Sequence, residues 1–327
     1  MIFEASTLEE RRRYYREEWN VKELPDFIKK DLNKREFGFD HLGNGPNDRY
    51  RIFKTQDMIR RFMRYRSPFA AYCSIAFYNK PWQRGDWLKS ELVFDVDAKD
   101  LPIRSCNCEG VCNICLNEAR QIVLLILDTL RGDLGLKDIH MIYSGRGYHI
   151  RVLDEEVMTF DSEVRSQVLK YVSGAEAPKN KYVLENEVDQ KPYELEHFLI
   201  PFGYPAVFTS RVKHSIMHIT GKEKIENINT KLLKDIIKYR NLVEKGEWGL
   251  FKNKIGPIRY KNFVESMSQL NMGIVDAKVS IDLKRILRLP TSLHSKVSMK
   301  CMEVKNIENF DPLKEAVPKF VMERKDY

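Results

Sequence analysis

The chain has 327 residues, 43% of them hydrophobic, enough apolar material for one large domain or two modest ones, which sets aside disorder as the default state. Basic residues exceed acidic ones by eight, and an isoelectric point near 9.0 favours polyanions such as nucleic acid or nucleotides without demanding them. The first ten residues hold no basic leader, and the longest apolar run, 122–127, falls far short of the roughly 20 residues of a membrane span. The expectation is a cytoplasmic protein with no membrane partner.

In chain order, Ser6 or Thr7 is placed to cap a charged helix through Trp19, and a second short helix is expected over 26–32. Asn44-Gly45-Pro46-Asn47-Asp48 is a turn cluster. Strands are expected over 70–78 and 92–98, joined by a polar connection around Gln83-Arg84-Gly85. A cysteine-rich loop leads into a helix over 116–131 with an apolar body, and two strands, 139–143 and 148–153, follow across a glycine-containing turn. Strand, strand, helix, strand, strand predicts an α/β (α+β) core rather than a helical bundle. Helical spacing over 161–172 and 231–244 predicts a mainly helical insertion at 160–260. Core-like character returns over 274–279, read as strand-like, before a basic stretch at 282–300.

Three local patterns carry chemistry. In Leu92-Val93-Phe94-Asp95-Val96-Asp97, alternation sends Leu92, Phe94 and Val96 to one face and Asp95 and Asp97 to the other. Two carboxylates sharing so small a volume suit magnesium or manganese, although an isolated Asp-x-Asp equally well ends an edge strand in solvent. Asp276 is a candidate third carboxylate, with Asp282 competing from a helical-looking, basic segment.

Cys106, Cys108, Cys112 and Cys115 are dense enough to close tetrahedrally on zinc in a structural site, with an iron–sulfur cluster or free thiols as alternatives. Cys73 and Cys301 stand alone and read as buried, inert thiols. The turn Ser144-Gly145-Arg146-Gly147-Tyr148-His149 brings backbone amides and a guanidinium to one place, where phosphate can be held, with an ordinary hairpin turn and a structural histidine as the alternative. Lys284, Arg285, Arg288, His294 and Lys296 cluster around Leu289-Pro290-Thr291-Ser292-Leu293, and on spacing alone Lys284 and Lys296 read as a solvated face.

Taken in order, Arg35-Glu36-Phe37-Gly38-Phe39, the Asp-x-Asp strand, the cysteine cluster, the Ser-Gly turn and Arg288-Leu289-Pro290-Thr291-Ser292-Leu293-His294 resemble the archaeo-eukaryotic DNA primase small-subunit family, archaeal type. That resemblance implies a DNA-directed nucleotidyltransferase that makes short primers on single-stranded template for replication and releases pyrophosphate. It implies Asp95, Asp97 and Asp276 as a catalytic triad for Mg²⁺ or Mn²⁺, and structural Zn²⁺ on the four cysteines. Ser144, Arg146, His149, Arg288 and His294 fall where the family contacts the phosphates of the incoming nucleotide, with Arg51 in the same pocket.

The resemblance further implies a catalytic primase core with a recognition-motif-like sheet, split as 1–159 and 261–327, a zinc loop at 104–116 and the helical insertion between. Nucleoside triphosphates, a single-stranded DNA template and a large subunit in a heterodimer are the implied partners; the iron–sulfur cluster belongs to that subunit. Many members carry a further residue, often a second arginine, in the Ser-Gly turn, where this chain has only Arg146. A repair-type primase-polymerase and a non-catalytic, zinc-containing nucleic-acid-binding subunit are the competing expectations.

Overall fold

Local chemistry sets the first element. Thr7 accepts a hydrogen bond from the Glu10 amide while the Glu10 carboxylate accepts from the Thr7 amide, a reciprocal cap that starts the Leu8–Arg13 helix. The expected single helix through Trp19 instead widens into a π-helical turn, Tyr14–Glu18, which buries Tyr14, Tyr15 and Trp19. Tyr14 Oη then donates to the Thr291 carbonyl at 2.7 Å and Trp19 Nε1 to Thr291 Oγ1 at 2.8 Å, so the N-terminus pins the distant basic loop.

The computed structural model describes residues 3–178, 182–184, 193–195 and 197–324. Its strands are β1 (Phe37–Asp40), β2 (Asp48–Arg51), β3 (Ala70–Ser74), β4 (Ala76–Lys80), β5 (Gly85–Ser90), β6 (Leu92–Asp97), β7 (Ile139–Tyr143), β8 (Gly147–Val152), β9 (Tyr182–Leu184), β10 (Tyr193–Leu195), β11 (Ile286–Arg288) and β12 (Met302–Val304). Two four-stranded antiparallel sheets dominate, one in the order β12-β7-β8-β6 and the other β11-β3-β1-β2. The protein is mixed α and β, as expected.

Leu92, Phe94 and Val96 of β6 join the main core with the apolar residues of the Asn113–Gly132 helix, which packs on β6 and β8. Val93 points the other way, into a small cluster with Ile75, Val279 and Leu287 that ties the two sheets together. The strand expected over 70–78 breaks at Ile75. Ser74 Oγ accepts from the Glu36 amide and donates to the Ala76 carbonyl, bending the chain, and β4 then leaves to pair with β5 in the segment read as a connection. The 274–279 segment is also not a strand: Asp276 caps a short helix, Ala277–Ile281, by accepting from the Lys278 amide.

A buried ionic knot lies at the base of β6. Glu91 meets Arg35 at 2.6 Å and Arg151 at 2.5 Å, all three side chains fully buried, while Arg165 donates to the carbonyls of Ser90 and Glu91 at 2.7 Å each. Burial pushes the Glu91 carboxyl up, but Arg151 and Arg35 together hold it below the ordinary value.

A second apolar cluster is built mainly by four helices, Gly203–His218, Thr230–Glu244, Trp248–Ile255 and Pro257–Met272, around Phe208, Phe251 and Phe263. Its buried residues run from Phe198 to Met267 with Ile103 added, whereas Leu169 and Val172 of the Ser162–Ser173 helix belong to the main core. The Ser162–Ser173 helix thus packs with the main core while the four later helices form the second cluster, since helical spacing reports a face and not which core that face meets. No helix among the described residues is long and apolar enough to cross a membrane.

Candidate active site

Antiparallel pairing of β6 with β8 sets Asp95 opposite His149 and Asp97 opposite Gly147. The alternation expected of β6 is present: Leu92, Phe94 and Val96 are buried and the two aspartates are half-buried on the other face. His149 Nε2 lies 3.5 Å from Asp95 Oδ1. Only glycine fits opposite Asp97, since a Cβ on Gly147 would stand 2.2 Å from the Val96 carbonyl oxygen. Gly145, at φ +98°, is equally constrained, because its Cβ would stand 2.4 Å from that of His294. The two turn glycines therefore let the β7–β8 turn close onto both the carboxylate strand and the basic loop.

Arg146 donates through Nε to Asp97 Oδ2 at 3.0 Å, and its Nη2 bonds the same oxygen; Asp97 Oδ1 accepts from the Lys99 amide at 2.9 Å. Asp276 arrives at the free edge of β6, its amide donating to the Asp95 carbonyl at 3.0 Å, and the residue is exposed. Burial, then the charges of Asp97 and Asp276, push the Asp95 carboxyl up to about 7. That surplus of negative charge is what a divalent cation would neutralise, and an all-oxygen donor set is what Mg²⁺ and Mn²⁺ take.

From the other sheet, β11 and the segments flanking it contribute basic side chains and an imidazole. Arg285, Arg288, His294 and Lys296 join Asp95, Asp97, Ser144, Arg146 and His149 around a cleft of about 320 Å³. Burial, then Arg151 and Arg288, lower His149 to about 3, and burial with Arg288 and Arg146 takes His294 well below its usual value. Both rings are neutral at pH 7, so positive charge in the cleft belongs to the arginines and lysine. His294 Nδ1 accepts from the Lys296 amide at 3.2 Å, which leaves Nε2 to carry the proton.

The cleft thus gathers Asp95, Asp97, Ser144, Arg146, His149, Arg288 and His294, with Asp276 beside it. Arg51 is not brought there. It ends β2, half exposed, and bonds Asp48 at 2.6 Å. Among the lining residues outside the expected set are Arg285, Lys296 and Tyr72. Spacing alone puts Lys296 on a solvated face and does not separate Arg285 from the basic cluster, and Tyr72 is revealed only by β3 pairing with β11, which puts its ring 5.4 Å from the Arg288 guanidinium. Size alone does not mark the site: a larger groove of about 630 Å³ follows β12, but His140 there is already held by Glu303 at 2.9 Å and Asp138 at 3.0 Å.

The four clustered cysteines converge, their Sγ atoms all within 4.8 Å of one another and in a position to hold a metal ion. Neighbouring sulfurs stand 3.6 to 3.8 Å apart, against the edge of about 3.8 Å that a tetrahedron with 2.3 Å metal–sulfur bonds requires. Cys112 caps the Asn113–Gly132 helix and Cys115 lies in its first turn, so the cluster anchors the helix behind β6. Cys73 and Cys301 are buried singly, as expected, and burial raises their thiols to about 11 and about 12.

With this geometry in place, comparison with known proteins is specific. Residues 94–305 match the family model described as DNA primase small subunit. The chain is 61% identical to the DNA primase small subunit PriS of Methanobrevibacter smithii over 99% of both chains. It is 59% identical to that of Methanothermobacter thermautotrophicus, again over 99% of both. Pyrococcus abyssi PriS is 39% identical over 98% of this chain and 95% of its own.

Proposed function

This chain belongs to the DNA primase small-subunit family, and we propose that it joins nucleotides into short primers on single-stranded DNA at the Asp95–Asp97–Asp276 corner of the cleft. It is a DNA primase, a nucleotidyltransferase. The observation that carries the assignment of the site is geometric: Asp95 and Asp97 share one face of β6, a backbone bond brings Asp276 to Asp95, and Arg285, Arg288 and Lys296 line the same cleft. The full-length likeness to catalytic small subunits disfavours both a repair-type polymerase and a binding subunit without activity.

In this reading Asp95, Asp97 and Asp276 hold Mg²⁺ or Mn²⁺. Bound there, such ions supply an activated 3′-hydroxyl and a stabilised pyrophosphate leaving group. Arg288, Arg285 and Lys296 attract the triphosphate electrostatically, and neutral His294 donates from Nε2 to a phosphate oxygen. Arg146 rests on Asp97, and turning its guanidinium into the cleft gives the triphosphate a bidentate partner. The Ser144 side chain lines the same cleft. The single arginine of the turn is supplemented by Arg285 from the opposite sheet, which takes the place of the family's second turn residue.

The four cysteines hold Zn²⁺ as a closed structural site, the enzyme acts in the cytoplasm, and a large subunit completes a heterodimer. Elemental analysis of the purified chain is expected to find about one zinc per molecule. Cys112→Ser is expected to lose that zinc and lower the melting temperature, while full occupancy in the variant would remove the assignment. The reading as a whole is tested by pyrophosphate release on single-stranded template: release that requires Mg²⁺ or Mn²⁺ is expected, and none under any metal condition would contradict it.

A further inference from the structure

The sheet that carries β11 has an opposite edge that nucleotide chemistry does not use. There β2 pairs with β1 through a bulge: Phe37 faces Arg51 and Phe39 faces Asp48, so Gly38 alone stands against both Arg49 and Tyr50. Tyr50 takes the left-handed conformation, φ 64°, a strained state for an aromatic residue that turns its ring outward, and it is 48% exposed.

Two guanidiniums flank that ring. Arg49 and Arg84 each lie 5.6 Å from its centroid, and both are fixed by the fully buried Glu36, through Nε bonds of 2.6 and 2.7 Å. Two cations on one carboxylate leave an uncompensated positive charge beside the ring. Trp82, 51% exposed in the turn Pro81–Gln83, adds a second aromatic surface next to Arg84. The marginal charges are already paired, Arg51 with Asp48 and Lys80 with Asp86.

The platform is continuous with the cleft. A Cβ on Gly38 would stand 3.0 Å from Arg49 Cδ and 3.2 Å from Ile286 Cδ1, and Ile286 lines the cleft with Tyr72 and Arg288. Gly38 is the saddle over which the two meet. From β11 to β2 is three strand spacings, about 14 Å, or about four nucleotides of a stacked strand.

We infer that the Tyr50 ring, with exposed Trp82 on the turn that packs against β2, is a stacking platform for the bases of a single-stranded nucleic acid running out of the cleft, the Arg49 and Arg84 guanidiniums meeting its phosphates. Exposed rings flanked by fixed cations are how proteins hold single strands without reading sequence. The platform rests on the priming reading for its occupant. Template DNA and newly made primer share the required chemistry, and the test separates them.

The full chain is titrated, by fluorescence anisotropy, into labelled single-stranded DNA and into RNA of the same sequence. Tyr50→Gly removes the ring and suits the positive φ, Tyr50→Phe keeps the ring, and Trp82→Ala serves as a second variant should the first not fold. Tyr50→Gly is expected to weaken binding about tenfold, the scale of one lost base stack, with Tyr50→Phe unchanged. Loss on DNA alone assigns the template strand, loss on RNA alone the growing strand, and loss on both a site that takes either. Unchanged affinity for both nucleic acids in Tyr50→Gly, or in Trp82→Ala if that variant must stand in, overturns the platform. Metal-dependent incorporation by the wild-type chain, measured alongside, separates that failure from failure of the priming reading.

Discussion

Asp95→Asn is expected to abolish nucleotide joining while making the metal-free protein more stable. The loss of activity should be at least about 10²–10³-fold, the scale on which removal of a group acting directly on transition-state charge is felt. The gain in stability follows from the carboxyl's position. In the fold it keeps its proton to about pH 7, against 3.8 ordinarily, so the folded state binds more protons than the unfolded chain between those values. Metal-free stability therefore falls as pH rises through that window, and an uncharged amide removes the effect. A melting temperature several degrees above wild type at pH 8 without divalent cation, and a flatter pH dependence, are the expected readings. An inactive variant that is also less stable would identify Asp95 as structural and sink its role at the metal.

Glu91→Ala is expected to be the most damaging single change in the fold. Its carboxylate is the shared partner of two fully buried guanidiniums, Arg35 and Arg151. Breaking a buried pair by removing one partner costs about 3–5 kcal/mol, which corresponds to a fall in melting temperature of about 10 °C. The position matters for chemistry because Glu91 immediately precedes β6 and Arg151 of β8 pairs with Val93 of β6. The knot thus holds the register that sets Asp95 against His149. The folded-state value of Glu91 is lowered, so its contribution is complete above the unfolded carboxylate range and fades as pH falls through the folded value. Thermal melts at neutral and acid pH should show the wild type converging on the variant as pH drops; equal stability at pH 7 would contradict the network's role.

What sequence made legible was whatever depends on short-range periodicity or spacing. The face of β6 follows from a period of two, and the cysteine cluster from ligands only a few residues apart. The 274–279 segment has strand-like character, yet the aspartate's preference for capping helices decides the local structure at Asp276. Its approach to the site depends on a backbone bond to Asp95, a contact across 181 residues that periodicity does not encode.

The same limit hid other features. The family resemblance implies Arg51 as a nucleotide contact, but strand pairing places it on the edge of its sheet opposite β11. Arg285 and Lys296 could not be separated from a solvated basic stretch until the packing of the two sheets turned them into the cleft. The bulge at Arg49 and Tyr50 exists only relative to the register of β1. Each of these is a property of two segments meeting, and neither segment states it alone.

Primer synthesis on an unprimed single-stranded template bears most directly on the central claim. The purified chain, alone and together with the proposed large subunit, is given nucleoside triphosphates of both sugars and either Mg²⁺ or Mn²⁺. Priming predicts short products that begin from two free triphosphates, require divalent metal and vanish in Asp95→Asn. Products obtained only by extending a strand annealed beforehand, or template binding with no product under any of these conditions, would contradict it.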